Sequence, residues 1–114
     1  MKAWWLIAAG TLLLAGCGKD HQGRETYDAA ILRESQCVAA SERFQLYDEA
    51  KKHSDHANAA EDERFDKLKL RSDLGVRLKE ARIRLLAQDK SYNSAYLKSR
   101  CSTEMSQDQF NAAE

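Results

Sequence analysis

Proline occurs nowhere in the 114 residues, and no glycine falls between Gly23 and Gly75. Proline removes a helical hydrogen bond and clashes with the preceding turn, while glycine costs about 1 kcal/mol against alanine in a helix interior. A chain that lacks both over so long a stretch has nothing to interrupt helix cheaply. Helix is therefore the default expectation.

The apolar spacing agrees with that expectation. Tyr27, Ala30, Ile31, Cys37, Val38, Phe44 and Tyr47 recur at three- and four-residue steps and predict a first helix from about 24 to 53, its stripe interrupted by Glu34 and Ser41. Residues 53 to 58, His-Ser-Asp-His-Ala-Asn, lose the period and collect side chains that compete for local backbone hydrogen bonds, which reads as a turn. Asn58 and Glu61 then have capping-box spacing. A second helix from about 59 to 88 follows, with Phe65, Leu70, Leu74, Leu78, Ala81 and Leu85 as its stripe and Gly75 as a point of close approach. Asp89 or Ser91 caps a short third helix that carries Tyr92, Tyr96 and Leu97 and ends near Cys101. The rival reading is a helix that runs unbroken through 53–58. From Ser102 onward the chain is polar except for Met105 and Phe110 and reads as a frayed tail, with Ser106 to Gln109 able to cap one last turn. The fold class expected is all-α: a small antiparallel helical bundle of two long helices and a short third.

Lys2 precedes a run of apolar and small residues from Ala3 to Ala15, which is too short for the about 20 residues that a spanning helix needs. The run closes on Leu14-Ala15-Gly16-Cys17. This segment resembles the lipobox of bacterial lipoprotein precursors, over residues 1 to 17. The resemblance implies that the Cys17 thiol receives a diacylglyceryl group, that signal peptidase II recognises Leu14, Ala15 and Gly16 and cuts before Cys17, and that the new amine is acylated, commonly with palmitate. An ordinary cleaved signal and a short buried helix are the competing readings. Gly18 stands where an aspartate would resemble the inner-membrane retention signal, so the resemblance points to the outer membrane, facing the periplasm. The organisation expected is a signal peptide at 1–16, a lipidated tether at 17–23, a helical domain at 24–101 and a polar tail at 102–114. In layout, Ala15-Gly16-Cys17-Gly18-Lys19 before a short helical domain with two cysteines also resembles small entry-exclusion lipoproteins of conjugative plasmids.

The part from Cys17 onward has 98 residues, enough for one small domain. Without Lys2 it holds 17 basic and 18 acidic residues, a formal charge of −1 that gives no global signal for nucleic acid. Leu, Ile, Val and Phe make up 16 of those 98 residues, below the roughly 20% associated with a well-filled core. Cys37 and Cys101 matter for that reason: past the inner membrane they are expected to pair, closing a loop that removes on the order of 4 kcal/mol of unfolded-state entropy. Neither belongs to a Cys-x-x-Cys motif, so a structural bridge is favoured over a redox pair. Turns near residues 57 and 90 would bring both cysteines to one height, level with residues 76 to 78 of the second helix.

Charge is uneven inside the domain. Residues 25–49 contain six acids and two bases, whereas 67–84 contain Lys67, Lys69, Arg71, Arg77, Lys79, Arg82 and Arg84 against two acids. The basic stretch is a candidate face for an envelope protein partner, or else the complement of the acidic first helix. His53 and His56, with Asp55 between them and Glu49 one turn earlier, are weak metal candidates for want of a strong third ligand. There is no Gly-x-Ser-x-Gly, phosphate loop or zinc-ribbon spacing, and no cofactor is expected. The function expected is a noncatalytic membrane-anchored lipoprotein that acts through protein or envelope contacts. An entry-exclusion lipoprotein and a metal-binding periplasmic protein are the alternatives, and the sequence leaves the oligomeric state open.

Overall fold

The computed structural model describes residues 19–113, with side chains from residue 26 onward. Every regular element among them is α-helical: α1 Lys19–Arg43, α2 Tyr47–Leu68, α3 Leu74–Leu86, α4 Lys90–Arg100 and α5 Gln107–Asn111. The chain is thus an all-helical bundle, as its composition requires. Its first two breaks, however, fall at places the local chemistry did not mark, while the third lies where expected, with Asp89 as the cap.

The first turn lies at 44–46, not at 53–58. Gln45 adopts the left-handed conformation with φ 58°. Its amide bonds Glu42 O at 3.0 Å and the Leu46 amide bonds Ser41 O at 2.9 Å, the paired closure of a Schellman stop. Glycine usually occupies that position because it has no Cβ to clash. Residues 53–58 sit inside α2, so the helix is continuous there and Asn58 is no N-cap; its Nδ2 donates to Ser54 O at 3.0 Å. The second break also surprises: Lys69, φ 57°, ends α2 with its amide on Phe65 O at 2.8 Å. What was read as one helix from 59 to 88 is therefore the end of α2, a link at 69–73, and α3.

The link is tied down by two buried charged residues of α2. Glu61 accepts from the Ser72 amide at 2.8 Å and from the Ser72 hydroxyl. Arg64 donates from Nη1 to Leu70 O at 2.6 Å and from Nε to Asp28 of α1 at 3.1 Å. Asp73 then caps α3 by accepting from the Val76 amide, and Asp89 caps α4 by accepting from the Tyr92 amide at 2.7 Å. Gly75 is exposed in the first turn of α3, where a Cβ would meet only Asp73 Oδ1 at 3.4 Å, so it serves no close helix approach.

Helix α1 is the hub, and α2, α3 and α4 each pack on it while α2 and α3 scarcely touch one another. Surrounded on several sides, α1 buries eight residues in succession, Glu34 to Ser41, instead of a stripe. Their small size (Ser35, Ala39, Ala40 and Ser41 among them) is what lets three helices approach the same segment. The core joins Cys37, Ala39, Ala40 and Phe44 of this region to Ala81, Leu85, Leu97, Cys101 and Ala113. The C-terminal segment belongs to it too. Ser106 and Gln109 form a full capping box for α5, and Phe110 stacks on Phe44 with ring centroids 5.8 Å apart, so the expected frayed tail is a packed helical turn. Residues 19–23, expected as tether, are the first turns of α1.

Candidate functional site

Cys37 and Cys101 are joined, with Sγ atoms 2.14 Å and Cα atoms 5.7 Å apart. The route differs from the one expected. A hairpin that turns at about residue 45 sets Cys37 level with His53 and Glu34 level with His56, and α4 then brings Cys101 to the same height on α1. The bridge and the histidines consequently share one neighbourhood.

There, one carboxylate oxygen is the focus. Glu34 Oε2 lies 2.5 Å from His53 Nδ1 and 3.7 Å from His56 Nδ1, while its Oε1 faces Arg33 Nη2 at 3.4 Å. His53 Nε2 points the other way, 3.6 Å from Glu49 Oε2, and is buried without a hydrogen bond. Burial separates the two rings: His53 is 4% exposed, whereas the His56 side chain is half open to solvent. A cleft of about 340 Å³ leads to this point, lined by Arg33, Glu34, Lys52, His53, His56, Arg100, Cys101 and Ser102. Asp55, the third polar residue of the His-rich segment, takes no part and pairs with Lys51 at 3.0 Å.

The basic residues of 67–84 divide by role. Arg77 Nη2 lies 3.6 Å from Asp28, and Arg82 forms a two-point pair with Glu42 at 2.8 and 3.3 Å, so both complement the acidic α1. Hydrogen bonding to Glu42 holds the Arg82 guanidinium above its ordinary pKa. Arg71 stacks over the Phe65 ring at 4.0 Å, with Lys69 at 5.9 Å. Lys79 and Arg84 remain without a partner among the described residues.

Outward from α1, helix α3 presents Val76 (47% exposed), Ile83 (61%) and Leu86 (63%). At 100° per residue they fall, with Lys79, within about 80° of arc, opposite the buried Ala81 and Leu85. Tyr96, half-buried between α4 and α1, donates its hydroxyl to Gln36 Oε1 at 2.6 Å, and burial pushes its phenol pKa up.

Leu14, Ala15, Gly16 and Cys17 lie outside the described residues. No helix among the described residues is long and apolar enough to cross a membrane. No protein-family model, curated protein or solved structure matches the chain. Glu34 is the residue of the histidine cluster that sequence reasoning had not enlisted; its signal was the break it makes in the apolar stripe of the first helix.

Proposed function

We propose that the protein is a noncatalytic, lipid-anchored envelope protein, held at the periplasmic face of the outer membrane by Cys17 and acting by contact with another envelope protein. The observation that carries this reading is the division of the cysteines. Cys37 and Cys101 are bonded to each other within the core, so the single thiol left over is the one that ends the lipobox-like segment. Each buried acyl methylene contributes about 0.8 kcal/mol, and two or three chains together hold a small domain at a membrane without a spanning helix.

The outward face of α3 is the contact surface in this reading. Val76, Ile83 and Leu86 form an exposed apolar row around the uncompensated Lys79, which suits an apolar partner patch that carries an acidic group. Cys17→Ser tests the anchor: the variant is expected to lose its lipid and leave the membrane fraction, and a variant still processed and membrane-bound like the wild type refutes it. A photo-crosslinking residue at Ile83 is expected to give one discrete adduct in the native envelope that the same residue at Lys51, exposed on α2, does not give. An identical adduct pattern from both positions, or none from Ile83, counts against α3 as the contact face.

A further inference from the structure

We propose that Glu34, His53 and His56 form a binding site for one divalent transition-metal ion with the ligand preferences of Zn²⁺. The inference rests on the geometry of α1 and α2 and does not depend on the anchor or on the α3 surface.

Three features converge. One ligand atom from each of the three residues lies within 4.8 Å of both others. A tetrahedral ion with bonds of about 2.0–2.1 Å needs ligand atoms roughly 3.3 Å apart. The observed 2.5 Å from Glu34 Oε2 to His53 Nδ1 and 3.7 Å to His56 Nδ1 bracket that value, so small side-chain movements suffice. Two imidazoles three residues apart on a helix face, joined by a carboxylate from a neighbouring helix, make a two-histidine, one-carboxylate donor set of the kind that leaves a fourth position open.

The surroundings supply the second feature. Arg33 holds the other oxygen of Glu34, and the metal takes the place of the proton in the hydrogen bond between Oε2 and His53 Nδ1. Behind His53, Glu49 Oε2 sits 3.6 Å from the buried Nε2 that no hydrogen bond satisfies. With Nδ1 on the metal, the neutral imidazole must carry its proton on Nε2, and Glu49 becomes its acceptor. That is the carboxylate–histidine–metal relay that fixes the tautomer in metal sites, and it explains why a buried nitrogen is left facing an acid.

Access is the third feature. The half-exposed His56 and the cleft beside Lys52, Arg100 and Ser102 open the fourth position to solvent, and the cationic rim suits water or a small anion there. The nearby Cys37 and Cys101 sulfurs also come within 4.8 Å of a His53 nitrogen, but their bond to each other removes both as thiolate ligands while it is intact.

The test is a calorimetric titration of ZnCl₂ into the full chain, disulfide-bonded and held in detergent micelles. One saturable equivalent is expected. Because His56 is exposed, His56→Ala leaves the fold unchanged, checked by helical circular dichroism, and is expected to weaken binding at least tenfold. Glu49→Gln removes the charge behind His53 while keeping an oxygen that can accept from Thr103 Oγ1, 3.5 Å away, and is expected to weaken it about ten- to hundredfold. Co²⁺ in place of Zn²⁺ is expected to show no sulfur charge-transfer band. Absence of saturable binding, identical titrations of wild type and His56→Ala, or binding that appears only after reduction and with a sulfur band each overturn the proposal, the last by assigning the ion to Cys37, Cys101 and His53.

Discussion

Breaking the Cys37–Cys101 bond is the sharpest test of how this small domain holds together. The bridge spans 64 residues and encloses α2, α3 and all of α4. In the chain-entropy description, opening a loop of that length returns about 4 kcal/mol of conformational freedom to the unfolded state at 25 °C. Domains of this size have total stabilities of roughly 5–15 kcal/mol, and each kcal/mol moves the midpoint by about 4–8 °C, so a loss of roughly 15–30 °C in Tm is expected. Thermal unfolding gives the Tm, and urea unfolding the free energy, both followed by helical circular dichroism on three species: oxidised wild type, reduced wild type, and Cys37→Ala/Cys101→Ala. The reduced protein keeps both sulfurs in the core and loses only the bond, whereas the alanine pair also loses their packing. An entropic origin requires most of the loss to appear already in the reduced wild type, together with a larger denaturant dependence as the unfolded chain expands. If the reduced wild type stays within about 1 kcal/mol of the oxidised form, the cross-link reasoning fails and the packed helices hold the fold by themselves.

Two further perturbations probe the links between helices. Glu61→Ala removes the acceptor for both the Ser72 amide and hydroxyl and is expected to cost roughly 1.5–3 kcal/mol, with faster hydrogen exchange at the Ser72 amide; unchanged protection there would mean that something else holds the 69–73 link. Tyr96 has its phenol pKa raised by burial, opposed in part by Arg100. A raised folded-state value favours the protonated folded form, so its contribution is complete below the unfolded value of about 10 and is lost as pH rises through the higher folded one. Tyr96→Phe is therefore expected to show a shallower fall in Tm than wild type between pH about 9 and 11, and parallel curves would refute the assignment.

What could be read from the residues, and what could not, separates along one physical line. Helix content followed from the missing proline and sparse glycine, and the cap at Asp89 was legible because a short oxygen-bearing side chain at an N-cap satisfies its amide locally; Ser106 offers the same chemistry, but the polar residues around it read as a frayed tail. The stops at Gln45 and Lys69 were not, since each places an ordinary side chain in the left-handed region that glycine normally marks. Tertiary contacts hold these stops: Leu46 packs on the core just after Gln45, and Arg64 and Glu61 grip the chain just after Lys69. The apparent turn at 53–58 misled for the complementary reason. Its polar residues looked like loop chemistry because one of their partners, Glu34, is on another helix. Two local anomalies, an acid inside the apolar stripe of α1 and two histidines inside α2, are one feature divided by the hairpin. A turn centred on residue 45 pairs 34 with 56 and 37 with 53, so the same register that seats the disulfide also assembles the proposed metal ligands. Shifting that register by one residue would rotate His53 and His56 by about 100° around α2 and separate them from Glu34. The turn at 44–46 is therefore the element on which both the bridge and the site depend, although no residue in it carries either chemistry.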